Sequence, residues 1–126
     1  MRLYRQYNGT KKTVFLLVLD DGSCPARTFL ETLKATNEGS HKAMIRRIKS
    51  HADIGYTSIQ KHGHPIKGRK ALFVWKTHQG ARLLYFEGNV GTNVVVTHGY
   101  NKGDPERAEY DKAERLRDAC LTEGGR

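Results

Sequence analysis

The chain has 126 residues, 37% of them hydrophobic and 28% charged, with a formal net charge of +9 and two cysteines. That length fits one domain with a modest core, and the composition is too apolar for a disordered chain. The longest apolar run, "VFLLVL", is too short to span a bilayer, and Cys24 and Cys120 form no CxxC or CxxH spacing that would suggest a zinc site or a disulfide framework.

The N-terminal stretch "MRLYRQYNGTKK" is basic and leads into only six apolar residues before two aspartates, without a small-residue cleavage site. It reads as a flexible extension over residues 1–12 rather than a secretory signal, and the expected location is the cytoplasm. "TVFLLVL", Thr13 to Leu19, is apolar on both faces and predicts a strand covered on both sides, ended by "DDG". "SCPARTFLETLKA" places Pro25 in a first helical turn, with Ala26, Phe29, Leu30 and Leu33 at helical spacing, and Asn37 and Gly39 close it. Ser40 is then the expected cap of a second helix. Its apolar face is Met44, Ile45, Ile48 and Ala52, and its other faces carry Lys42, Arg46, Arg47 and Lys49.

Residues 41–70 contain eight Lys or Arg against one acidic residue, so most of the positive excess sits in one quarter of the chain. Such clustering creates a local field that attracts polyphosphate, which makes nucleic acid the leading partner; an anionic membrane fits less well because no long helix has bulky apolar and basic faces. Gly55 to Lys70 has no clear periodicity and reads as a long loop. Its His62 and His64 have no third ligand at a recognised spacing, so no metal site is read there.

"ALFVWKTH", "ARLLYFEG" and "NVVVTHGY" follow as three strand-like runs joined by "QG" and "NVGT", an expected antiparallel meander. Alternation puts Phe73 and Trp75 on one face, with Val74 and Lys76 on the other. "DPERAEYDKAERLRDACL" predicts a closing helix capped by Asp104, with Tyr110, Ala113, Leu116 and Cys120 on its apolar stripe and residues 122–126 as a flexible tail. The expected whole is one α+β domain over 1–126. It has an antiparallel sheet of about four strands in the order β-α-α-β-β-β-α, with both early helices on one face.

The segments "IKGRKALFVWK", "ARLLYF" and "VVVTHGYNKGDPERAEYDKA" occur in an order and spacing that resembles the RelE/ParE superfamily of type II toxins, in particular its HigB-like, phage-derived branch. The match runs over roughly residues 66–113. Leu72 to Lys76 corresponds to a strand ending in Arg, Arg82 to Tyr85 to an Arg-x-Leu-Tyr strand, and His98 to Lys102 to a His-Gly-Phe-x-Lys strand end. Lys76 replaces the family's arginine, keeping its charge without the planar fork, and Gly103 stands where a second basic residue would.

The resemblance implies a RelE-like fold and an mRNA endoribonuclease that needs neither metal nor cofactor. It also implies action on the ribosome and neutralisation by an adjacently encoded antitoxin, a helix-turn-helix protein. In such chemistry a ribose 2′-OH attacks phosphorus, so the site needs a base, a cation for the phosphorane and an acid for the leaving oxygen. The candidate catalytic residues are Arg82 as phosphate clamp, Lys76 and Lys102 as charge neutralisers or proton carriers, and His98 and Tyr100, with alternation placing His98, Tyr100 and Lys102 on one face. Lys67, Arg69, Lys70, His78, Arg46 and Arg47 are expected to contact RNA phosphates. Two other functions stay open: a ParE-like inhibitor of DNA gyrase, and a non-catalytic basic module that binds RNA or the ribosome. The "HGYxK" strand end and Arg82 favour the nuclease.

Overall fold

A computed structural model describes residues 1–88 and 91–123. It is an α+β structure in which a six-stranded mixed sheet is packed between helices. In chain order the elements are β1 (Arg2–Asn8), β2 (Thr13–Val18), α1 (Pro25–Thr36), α2 (Glu38–Ile54), β3 (Gly63–Pro65), β4 (Phe73–Lys76), β5 (Ala81–Glu87), β6 (Asn93–Asn101) and α3 (Glu106–Thr122). The strands lie side by side in the order β1-β2-β6-β5-β4-β3.

Two strands exceed the expected four. Residues 2–8, read from sequence as a flexible extension, form β1, which pairs antiparallel with β2 and caps that edge of the sheet. The charged look of this stretch suits an edge strand, since charged residues there discourage pairing with other chains. On the other edge, three residues of the expected 55–70 loop form β3 and pair with β4. A three-residue strand is too short to give a period, which is why the sequence does not reveal it.

The sheet is not wholly antiparallel either. β2 runs parallel to β6, Thr13 opposite Asn93 through Leu16 opposite Val96, because two helices and three strands intervene between them in sequence. Both β2 and β6 are buried on both faces, as their continuous apolar runs suggest.

Helices α1 and α2 cover one face, burying Ala26, Leu30, Leu33, Met44 and Ile48 against Val14, Leu16, Val94, Val96, Leu83 and Trp75. Helix α3 covers the other, where Ala113 meets Val74, Leu84 and Tyr100, and Cys120 meets Leu17, Phe86 and Val95. Asn37 both ends α1 and caps α2, its side chain accepting from the Ser40 amide at 3.1 Å. Ser40, expected as the cap, lies inside the helix with its hydroxyl 2.6 Å from the Thr77 hydroxyl. Asp104, expected to cap α3, instead accepts from the Asn101 amide and closes the turn after β6, and Pro105 precedes the first helical residue.

One irregularity sets the geometry of the site. Leu84 pairs with His98, but Tyr85 pairs with Val96, so Thr97 is an extra residue in β6. Without that bulge, strict alternation from Val94 and Val96 would turn His98 and Tyr100 toward α1 and α2. The bulge reverses them onto the α3 face. Gly99 consequently faces α1, where the Phe29 ring lies so close that a Cβ would sit 2.4 Å from Cδ2. No side chain fits there, and this close approach accounts for the glycine.

The expected joint "NVGT" falls partly on Asn89 and Val90, which lie outside the described residues, as do residues 124–126 of the expected tail. No helix is long and apolar enough to cross a membrane among the described residues.

Candidate functional site

On the α3 face, near the end of the sheet where α3 begins, three strands present one residue each in a single cross-strand row. Lys76 on β4 is opposite Arg82 on β5, and Arg82 is opposite Tyr100 on β6. With strands about 4.8 Å apart the row is about 10 Å long. The three residues line a cavity of about 240 Å³ together with Val74, His64 of β3, and Glu106 and Tyr110 of α3.

Each member is held from behind. Arg82 donates through Nη1 to the carbonyls of Thr77 and Ala81, both at 3.2 Å, which anchors the guanidinium against the β4–β5 turn. Arg47 of α2 donates to the Lys76 carbonyl at 3.3 Å. The Tyr100 hydroxyl donates to Glu106 at 2.8 Å, and Tyr110 donates to the same carboxylate oxygen at 3.2 Å. Among the described residues, neither Lys76, Arg82 nor Lys102 has a carboxylate partner within ion-pair distance. Two cations side by side, neither held in an ion pair, form an anion-binding arrangement with Glu106 at its edge.

The electrostatics of the row follow from that crowding. Partial burial and then the neighbouring Arg82 guanidinium depress the Lys76 ammonium below its ordinary pKa, with Glu106 opposing. The Tyr100 phenol is pushed far up, first by burial and then by Tyr110 and Glu106, so it serves as a donor and not as a phenolate.

The other expected residues lie elsewhere. His98 is on the same face as Arg82 but buried beneath α3; its Nε2 is 2.9 Å from Glu109 and its Nδ1 3.2 Å from Thr97 Oγ1. Burial outweighs the Glu109 hydrogen bond and keeps its pKa lowered. It ties α3 to β6 and does not line the cavity. Lys102 is exposed past the end of β6, its amide bound to the Gly80 carbonyl at 2.7 Å, which pins the strand end to the turn carrying exposed His78. Arg69 is engaged by Asp111 and Glu114 of α3, which raise its pKa, so its guanidinium braces the loop against the helix. Lys67 and Lys70 are exposed, and the Lys70 carbonyl accepts from Arg117. Arg46 is exposed and Arg47 half-buried on α2, lining a second groove with His62, Tyr56, Ile54 and Ile59.

Sequence reasoning missed His64, Glu106 and Tyr110. The first sat in an aperiodic loop and the others on a helix whose acidic start is explained by the helix dipole alone. The "YNKGDPE" spacing was the available signal, because a tight turn after Tyr100 returns Glu106 to the tyrosine it follows by six residues.

Compared with protein-family models and with curated proteins, the chain matches none.

Proposed function

We propose that this protein is an endoribonuclease of the RelE-like, HigB-like toxin type, working without a metal on messenger RNA, on the ribosome, and held in check by an antitoxin. The observation that carries this reading is the row Lys76, Arg82, Tyr100: two cations without carboxylate partners and one phenol donor, at registered positions on adjacent strands. It joins the motif resemblance of residues 66–113 and the basic charge of residues 41–70.

In this reading Arg82 clamps the non-bridging oxygens of the scissile phosphate through paired guanidinium donors. The 2′-OH attacks phosphorus, its proton passes to the Glu106 carboxylate, and the bond from phosphorus to the 5′ oxygen breaks. Lys76, with its lowered pKa, gives a proton to the departing oxygen. Tyr100, with Tyr110, donates to Glu106 and holds its carboxylate in place beside the phosphate. His98 supports this geometry through Glu109 rather than transferring a proton.

Purified protein with ribosomes and messenger RNA should therefore cut in EDTA, leaving a 2′,3′-cyclic phosphate or 3′-phosphate and a 5′-hydroxyl. Substrate with deoxyribose at the cut position should survive. Arg82→Ala should slow cleavage by about 100-fold, roughly 2.7 kcal/mol of barrier, the scale of losing one preorganised charge stabiliser. Cleavage that continues on deoxyribose-substituted sites, or is indifferent to Arg82, would overturn the reading. Growth arrest on induced expression, relieved by the adjacent gene, tests its biological half.

A further inference from the structure

Tyr4, Ile54, Tyr56 and Ile59 are the exposed large hydrophobic side chains among the described residues, and the last three line one groove of about 240 Å³. The groove runs between α2 and the loop that follows it. From α2 it takes Arg46, Ser50 and Ile54, whose i, i+4 spacing makes one row about 12 Å long. From the loop it takes Tyr56 and Ile59, 60% and 48% exposed. This loop is fixed in place. Half-buried Thr57 has its Oγ1 2.8 Å from His51 Nδ1 and accepts from the Trp75 indole N–H at 3.3 Å, and the His62 amide donates to the Ile59 carbonyl at 2.8 Å. Anchoring Thr57 inward holds Tyr56 and Ile59 outward, where folding gains little from them. Single exposed apolar residues are ordinary, but three that share a groove mark an interaction surface.

The charges around it describe what would cover it. Arg46 and Arg47 stand on the α2 wall and His62 on the loop wall, and none of the lining residues is acidic. Neither arginine has a carboxylate within ion-pair distance among the described residues. The bond from Arg47 Nε to the Lys76 carbonyl, at 3.3 Å, positions that guanidinium and uses only one of its N–H donors. The wanted partner therefore carries carboxylates around an apolar centre. Branched Ile54 and Ile59 offer no flat face on which a base could stack, which sets this groove apart from a nucleic-acid track in spite of its arginines. The walls are a helix and a turn in which the His62 and Gly63 amides already bond the Ile59 and Gln60 carbonyls, so an extended strand finds no ladder to join there. A helix satisfies its own backbone and docks through side chains alone.

We propose that this groove is the docking site for an acidic amphipathic helix of a second protein. Aliphatic side chains of that helix at i, i+4 and i+7 cover Ile54, Tyr56 and Ile59, and flanking Asp or Glu residues pair with Arg46 and Arg47. About two helical turns match the row on α2. The inference does not need the row of Lys76, Arg82 and Tyr100 to bind RNA, but the groove is joined to that row. Arg47 holds the Lys76 carbonyl, and the Lys76 amide donates to the His62 carbonyl at 2.8 Å, so both walls are fastened to the end of β4. A docked helix thus bears on the strand whose Lys76 side chain lines the Arg82 cavity.

A display library of random peptides about 14 residues long, enough for about four helical turns, can be selected on the folded protein. Recovered peptides should converge on aliphatic residues at i, i+4 and i+7 flanked by Asp or Glu, and a fluorescein-labelled representative should bind saturably by anisotropy. Ile59→Ser and Arg46→Glu should each weaken that peptide about 10-fold. Both side chains are exposed, so the two variants should keep the circular dichroism spectrum of the parent. Changing a flanking Glu of the peptide to Lys should restore affinity for Arg46→Glu. Recovery of no peptide sensitive to Ile59→Ser, or convergence on basic peptides or on peptides without helical spacing, would overturn the proposal. So would a single-stranded RNA oligonucleotide whose binding Ile59→Ser weakens equally, or a dimer of this protein that the same change dissociates in sedimentation, since either gives the groove to another occupant. None of these measurements reads cleavage, so their failure leaves Arg82-dependent activity to be judged separately.

Discussion

His51 shows how much a single side chain can hold in place and what it costs. It is buried against Trp75 and Tyr85 in edge-to-face contacts, and burial, reinforced by nearby Lys12, lowers its pKa to about 4. A histidine with a depressed folded pKa favours the native state while neutral; unfolding lets it take up a proton once the pH falls below the unfolded value of about 6.5. Its contribution is thus complete above pH 6.5 and is lost progressively between about 6.5 and 4, on the order of 3 kcal/mol in total. Glu87 opposes the shift and is paired to Lys12 at 3.1 Å. Urea denaturation of the protein and of His51→Gln at pH 7 and pH 4.5 should show the smaller loss in the variant. Equal losses would mean that other groups carry the acid sensitivity. The same residue scale separates Arg82 from Arg69, two arginines with similar sequence surroundings. One is braced by carbonyls and left without a carboxylate partner, the other is enclosed by two carboxylates of α3.

At the scale of elements, β6 contributes to the candidate row because of an irregularity. The extra Thr97 turns His98 and Tyr100 to the α3 face, and Thr97 Oγ1 bonds back to the Leu84 carbonyl at 3.3 Å, holding the bulge in place. Gly99 is the matching requirement on the other face, where α1 delivers Phe29 onto the strand. Gly99→Ala should destabilise the fold by about 1–3 kcal/mol through overpacking, and Phe29→Leu in the same chain should recover part of that loss. A shift of the urea midpoint in the single variant, reduced in the double, is the expected observation. Full additivity of the two changes would show that the ring is not what excludes a side chain. Gly9 makes a similar contact in the β1–β2 turn, where a Cβ would lie 2.5 Å from the Ala52 backbone carbon, so the expected flexible extension is clamped at its end onto α2.

For the whole molecule, the sheet is shared. α1 and α2 on one face and α3 on the other both pack on β5 and β6, so neither layer has a core of its own. Unfolding should be a single cooperative event. Trp75, the lone tryptophan, is fully buried on the α1/α2 face, whereas far-ultraviolet circular dichroism reports all three helices. The two probes should give one urea midpoint, and separated midpoints would indicate that α3 detaches first.

Composition and period by themselves determined a good deal: the α+β class, the three helices to within a few residues, and strands β2, β4, β5 and β6. Long apolar or strongly periodic runs specify local structure through burial, which is legible residue by residue. The basic segment was legible for the same local reason, whereas the register that sets Lys76 opposite Arg82 was not. Tertiary structure alone decided the rest. β1 and β3 exist because a neighbouring strand offers them hydrogen bonds, which no property of their own residues announces. The parallel contact of β2 with β6 joins residues some eighty positions apart. The bulge at Thr97, the return of Glu106 to Tyr100, the enclosure of Arg69 and the unpartnered nitrogen of His51 all depend on which atoms meet across elements. A sequence orders the residues along a chain, but the charge state, reach and partner of each side chain are set by the surface it is pressed against.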